Sequence, residues 1–328
     1  MKNKSEKPIW IEEYVPIGGI EQYLFHSGTS SDNPVLLYLH GGPGSVECLF
    51  AHLFQDEIEK IFTIVHWDQR GAGKTLMKNK DKYPTIDLML QDLFEVIQYL
   101  KQKYKKQKIV LLGRSWGSVL GMTFIKRFPN EVAYFIGVAQ VISMLENERV
   151  GYGKLKELIL QVGDRKSLHK LEAIGEYPGE KLVIDNHFLK KCGKIRKLQG
   201  KYHLAGKKDL PIMFKVIKSP IFKWSDITAL MKGLKANRNV LETFLAGFDL
   251  FAEPADYQVP VYFILGDQDW QAPYVIAEKY FGKIQAPRKQ LFLLPGAGHR
   301  IMLDQTELFT SALSAIRNRE ESEELKGI

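Results

Sequence analysis

VLLGRSWGSVLG, residues Val110 to Gly121, joins a short apolar run to an amphipathic one through a glycine-flanked serine. Gly113 lies two positions before Ser115 and Gly117 two after, and Trp116, Val119, Leu120 and Phe124 then recur at helical spacing. A strand that turns abruptly into a helix holds its apex residue in a strained backbone. Small residues two before and two after let the neighbouring chains approach. A serine hydroxyl is a weak nucleophile on its own. Such a position has chemical use only if other segments bring a base, an acid to orient it and a site for the developing anion.

Outward from this stretch the same alternation repeats. Pro34–Leu39, Ile61–His66, Lys108–Leu112, Val132–Val138, Val259–Leu265 and Gln290–Leu294 read as buried strands. Helices are expected at Val46–Lys60, Ile86–Lys103, Trp116–Phe128, Ala272–Phe281 and Gln305–Ile316. Strands alternating with helices predict an α/β class with a mostly parallel sheet flanked by helices. Residues 8–27 carry a Gly-Gly turn between two β-rich runs, which predicts a leading antiparallel hairpin. The rhythm breaks between Ser143 and Ala255, where no strand run is found. There Ile227, Leu230, Met231 and Leu234 keep one helical stripe, and Leu241, Phe244, Leu245 and Phe248 keep another. Two domains are therefore expected: a core of residues 1–142 and 256–328, and a helical insertion of residues 143–255 whose stripes pack as core. The closing RNREESEELKGI reads as a solvated tail.

Composition narrows the class of function. With 328 residues, 45% of them hydrophobic and 26% charged, the chain can bury a large core and is not of disordered type. The two cysteines, Cys48 and Cys192, cannot form a disulfide framework and fit a reducing compartment, so a cytoplasmic protein without signal peptide or membrane span is expected. The net charge of +8 is unevenly placed. Residues 143–255 hold 21 Lys and Arg against 13 Asp and Glu, and the rest of the chain is balanced. That excess predicts either a solvated helical face or attraction of anionic substrates or surfaces. No nucleic-acid motif accompanies it. Gly71–Thr75 (GAGKT) imitates the end of a phosphate loop, but the glycine such a loop needs five residues earlier is Asp68 here, so ATP binding is not expected. Asp68 and Arg70 read instead as an ion pair beneath the site. Neither a cofactor nor a metal is called for.

The partners of Ser115 are sought on loops at the same sheet edge. Ser115 opens a helix, whose free N-terminal amides favour an anion, so the Trp116 N–H is one expected donor. LHGGPGS (Leu39–Ser45) supplies a glycine-rich turn for the second, with Gly42 preferred and Gly41 as the alternative. Of eight histidines, His299 follows the last strand in LFLLPGAGHR, where Gly296 and Gly298 allow a turn toward Ser115. His40 and His66 also stand at strand ends and read as structural. The preceding strand ends in LGDQDW, so Asp267 or Asp269 orients the imidazole.

Taken together, HGGPG at His40–Gly44, WDQRGAGKT at Trp67–Thr75, GRSWGS at Gly113–Ser118, GDQD at Gly266–Asp269 and the GAGH ending at His299 resemble α/β-hydrolases of the proline iminopeptidase (prolyl aminopeptidase) type. The resemblance implies Ser115 as nucleophile, His299 as base, Asp269 rather than Asp267 as acid, Gly42 and Trp116 as oxyanion amides, and a helical cap in place of the insertion. It implies a serine hydrolase working through an acyl-enzyme, releasing an N-terminal proline or similar residue from short peptides. A carboxylesterase or amidase with the same residues is the alternative within enzymes, and a non-catalytic ligand-binding module the alternative outside them. The family anchors the substrate amine with cap glutamates, commonly in a W-x-x-W-E stretch. Here Trp224 is followed by Ser-Asp-Ile-Thr, and Trp270 stands where some relatives carry an acid. Glu146, Glu148 and Glu242 are the remaining candidates for substrate binding.

Overall fold

The structure is a computed structural model that describes residues 8–205 and 212–326. Eight strands form one sheet: β1 (Ile9–Ile17), β2 (Ile20–Gly28), β3 (Val35–Leu39), β4 (Thr63–Asp68), β5 (Ile109–Arg114), β6 (Val132–Val138), β7 (Val261–Gly266) and β8 (Lys289–Leu294). Their spatial order is β1-β2-β4-β3-β5-β6-β7-β8. The hairpin β1/β2 joins antiparallel to β4, and every later pairing is parallel. A parallel sheet must be covered on both faces. Along β3, Leu37 and Leu39 enter one core, and Leu36 and Tyr38 enter the other.

The twelve helices of the described residues are α1 (Gly73–Lys78), α2 (Ile86–Tyr104), α3 (Trp116–Arg127), α4 (Met144–Gln161), α5 (Arg165–Glu172), α6 (Asn186–Lys201), α7 (Ile212–Ile217), α8 (Ser225–Ala236), α9 (Arg238–Thr243), α10 (Tyr274–Lys283), α11 (Ile301–Asp304) and α12 (Thr306–Lys326). Helices α2, α3 and α10 cover the Leu37 face, while α11 and α12 cover the other through Ile301, Phe309, Leu313 and Ile316. None is long and apolar enough to cross a membrane.

Between β6 and β7 the described residues form helices and no strand of the main sheet. The segment leaves and returns at adjacent points. The Leu250 N–H donates to the Ile142 carbonyl at 2.8 Å and the Met144 N–H to the Phe248 carbonyl at 3.1 Å. Leu241, Leu245 and Phe248 are buried there, as their stripe predicts.

Three local expectations differ from the structure. Val46–Lys60 forms tight 3-10 turns at Glu47–Leu53 and Ile58–Lys60 rather than a continuous α-helix. Its Gln55 turns inward to donate to Ser27 Oγ at 3.0 Å and to accept from His66 Nε2 at 2.9 Å. The tail is helical to Lys326, because Glu320 is held by Arg288 and by the Tyr262 hydroxyl. Most consequentially, the Ile227/Leu230/Met231/Leu234 stripe is only partly buried: Leu230 packs against the core, Ile227 is half-buried, and Met231 and Leu234 face outward. The buried face of α8 is Asp226, Ala229, Gly233 and Ala236.

Candidate active site

Ser115 sits at the carboxyl end of β5 with φ +52° and ψ −116°, a conformation that costs an L-residue strain. Its surroundings over-determine it. The Ser115 N–H donates to the Val138 carbonyl at 3.0 Å. A Cβ at Gly117 would lie 2.0 Å from the Leu39 carbonyl oxygen, and one at Gly113 would lie 2.3 Å from the Gly117 carbonyl oxygen. Both contacts are with backbone, so only glycine fits.

His299 Nε2 lies 3.2 Å from Ser115 Oγ, and His299 Nδ1 donates to Asp269 Oδ2 at 2.8 Å. With the proton on Nδ1, Nε2 offers its lone pair to the hydroxyl. Asp269 is buried, and its other oxygen accepts the N–H groups of Gln271 at 2.9 Å and Ala272 at 3.0 Å. These bonds fix the carboxylate and satisfy its charge. Asp267, the alternative, instead accepts the Gly296 N–H at 2.7 Å and so shapes the turn that leads to His299.

The glycine loop after β3 is held by His40, whose Nδ1 donates to the Gly41 carbonyl at 2.7 Å while Nε2 accepts the Gln69 N–H at 3.2 Å. Gln69 in turn accepts the Trp116 indole N–H at 2.9 Å. Gly42, at φ +116°, has no room for a Cβ, which would stand 2.6 Å from the Gly44 nitrogen. Gly42, Ser115, Trp116 and His299 line one cavity of about 290 Å³.

Two further residues that line that cavity, Arg114 and Arg196, were not singled out in the sequence. Arg114 donates through Nη2 to the His299 carbonyl at 3.0 Å and is ion-paired with Glu47 from the turn after the glycine loop. Burial disfavours its charge, and the adjacent Glu47 carboxylate more than offsets that. Thus one guanidinium joins the segments that carry the serine, the glycine loop and the histidine. Glu148, buried on α4, is bonded by the Arg196 guanidinium and the Tyr177 hydroxyl. Burial, then the adjacent Glu148 carboxylate, pushes the Tyr177 hydroxyl far above its ordinary value. Of the three glutamates considered, only Glu148 reaches the cavity. Glu146 pairs with Arg149 and Glu242 with Arg238, all partly exposed. Arg196 lies in a lysine-rich run with no signal to distinguish it, and Arg114 is the unspecified position of Gly-x-Ser-x-Gly.

The expected Asp68–Arg70 pair is not formed. Arg70 binds Asp92 through two bonds, at 2.7 and 2.9 Å, whereas Asp68 accepts the Lys74 N–H at 2.7 Å and so tethers the start of α1. Among the described residues, no cluster of His, Cys, Asp and Glu could hold a metal ion.

A family model described as serine aminopeptidase, S33, matches residues 31–205, just over half of the chain. The chain belongs to the serine aminopeptidase S33 family. Within that S33 setting, it is 28% identical over 314 residues to the probable aminopeptidase YbaC of Bacillus subtilis (strain 168), covering 94% of this chain and 97% of that one. Identity with the proline iminopeptidase of Lactobacillus delbrueckii subsp. bulgaricus is 24% over 310 residues, 92% of this chain and 96% of the other. The fold is that of the Mycobacterium smegmatis proline iminopeptidase, with a TM-score of 0.67 at 19% identity over 94% of this chain and 98% of that structure. The sequence-based resemblance and the α/β-hydrolase fold are thereby both met.

Proposed function

We propose that this S33 chain is a serine hydrolase that releases an N-terminal residue, proline or one like it, from short peptides through an acyl-enzyme. The observation that carries the reading is the hydrogen-bonded chain from Ser115 Oγ through His299 to the buried Asp269, at 3.2 and 2.8 Å. In this reading His299 Nε2 takes the hydroxyl proton as Oγ attacks the scissile carbonyl, and Asp269 stabilises the imidazolium. The oxyanion is met by the amides of Trp116 and Gly42. On collapse His299 gives its proton to the leaving amine, and a water activated in the same way frees the acyl group. Only a neutral His299 imidazole can accept that proton. Residues 143–255 act as a cap over a core of residues 1–142 and 256–328. From the cap, this reading assigns the substrate amine to Glu148, the one of the three glutamates that lines the cavity.

A carboxylesterase reading is favoured by one observation: both oxygens of Glu148 already have partners in Arg196 and Tyr177. Turnover of a proline anilide beside a short-chain nitrophenyl ester separates the two. Cleavage of the anilide, lost in Ser115→Ala, supports the aminopeptidase. Ester turnover with no anilide cleavage refutes it in favour of the esterase.

A further inference from the structure

Helix α8 is amphipathic in the inverse sense. The residues that it buries fully are small or polar, namely Asp226, Ala229, Gly233 and Ala236, while Leu230 packs only in part and Met231 and Leu234 point away. Trp224 is 73% exposed, Met231 80% and Leu234 49%, and with Ile227 they follow one another at intervals of three, four and three, a single stripe.

The helix cannot roll to bury them. A Cβ at Gly233 would lie 2.2 Å from the Gly44 carbonyl oxygen, so backbone touches backbone along the inner face. At the helix end, the Asn237 side chain donates to the carbonyls of Gly71 and Gly233, both at 2.8 Å. The short α7 just before it leaves Phe214 and Ile217 exposed as well.

The charge along this segment is one-sided, although Asp81, beside Lys80, shares a surface depression with Lys232 and Lys235. Residues 212–237 contain five lysines and one acid. That acid, Asp226, is buried and faces inward, 3.8 Å from Lys74. Lys218, Lys223, Lys232 and Lys235 are exposed. Scattered exposed apolar residues are ordinary, but an apolar stripe with a tryptophan at one end, Lys223 just before it and Lys232 and Lys235 beside it has the make-up of a helix that lies in a bilayer interface. A second copy of the chain docked through the same face would set lysine against lysine, whereas anionic headgroups neutralise them while the apolar side chains enter the acyl boundary.

We propose that the outer face of α8, begun by Trp224 and flanked by Lys223, Lys232 and Lys235, docks this protein on anionic lipid surfaces. Its inner face rests on Gly44, so the docked surface lies one helix away from the glycine loop that carries Gly42.

Co-sedimentation of the full chain with vesicles of phosphatidylcholine alone, or mixed with phosphatidylserine, tests this without reference to turnover. Each lysine near the surface is worth on the order of fivefold in partition at low ionic strength. Binding to phosphatidylserine vesicles is expected to exceed binding to phosphatidylcholine about tenfold or more, and to weaken as salt is raised. Lys232→Glu with Lys235→Glu should abolish it. Met231→Gln and Trp224→Gln should weaken it at every salt concentration, with circular dichroism unchanged because all of these side chains are exposed. A blue shift of emission on binding, missing in Trp224→Phe, places the indole in the lipid. The proposal is overturned by wild-type protein that ignores phosphatidylserine vesicles at low salt, or by binding that the α8 variants leave intact. A dimer that Met231→Gln dissociates, with no vesicle binding, also overturns it and assigns the face to a second copy.

Discussion

Replacing Ser115 by glycine should leave a more stable protein than replacing it by alanine, the reverse of the usual order. Both changes delete the hydroxyl and its contact with His299, so the comparison isolates the Cβ. At φ +52° and ψ −116° an L-residue carries strain of about 1–3 kcal/mol. Glycine relieves it and gives back about 0.5–1 kcal/mol through the greater freedom of its unfolded chain. The balance favours glycine by about 1 kcal/mol. With an unfolding entropy of about 2.1 cal/mol/K per residue, a chain of this length converts that into a melting difference of roughly 1–2 °C. Calorimetry of the two variants reads this difference directly. Alanine at least as stable as glycine would show that the elbow stores no strain at its apex.

Asp269→Asn should preserve the fold and lower kcat by about ten thousandfold, because an amide can hold the imidazole in the wrong tautomer; unchanged kcat toward a cleaved substrate contradicts the role given to Asp269. Glu47→Ala strands the Arg114 guanidinium and should cost about 3 kcal/mol in urea unfolding, while Glu47→Ala combined with Arg114→Met should cost less than the two single changes added together. Full burial, reinforced by the nearby His40, brings the pKa of His66 down to about 3. The unfolded chain therefore takes up a proton that the folded one refuses. This contribution is complete above the unfolded value near 6.5 and is lost as pH falls toward 3. Unfolding free energy should drop by about 2 kcal/mol between pH 7 and pH 5, and His66→Gln should flatten that slope.

The centre of the sheet was legible because β3 to β7 are continuous apolar runs buried on both faces, and the ends of the six expected strands agree with the sequence reading to within about two residues. Ser115 and His299, which the structure brings within 3.2 Å of each other, could be singled out by position, whereas the residues alone left Asp267 and Asp269 open and only the resemblance preferred Asp269. Ser115 and His299 each stand at a strand end with glycines whose need is local: Gly117 against Leu39, Gly296 in the turn before His299. What remained hidden depends on tertiary partners. Arg114 acquires its place only when the Glu47 turn and the His299 carbonyl come together, although they are 67 and 185 residues away from it. Glu148 could be singled out from Glu146 only by knowing which side of α4 meets Arg196. The α8 stripe misled for a plainer reason: hydrophobic periodicity reports a face but not what covers it, and Gly233 had already committed the opposite side.

The insertion is sewn into the core in an unexpected place. The His299 N–H donates to the Ala205 carbonyl at 3.0 Å, and the Trp270 N–H, next to Asp269, donates to the Leu204 carbonyl at 2.9 Å. Main-chain atoms of the helical segment thus hold both C-terminal loops, whatever side chains they carry. Trimming that segment to make a minimal hydrolase would unpin the histidine and loosen the neighbourhood of the aspartate. Chimeras between relatives should therefore exchange the stretch around Leu204 together with the two loops it grips, as a single cassette.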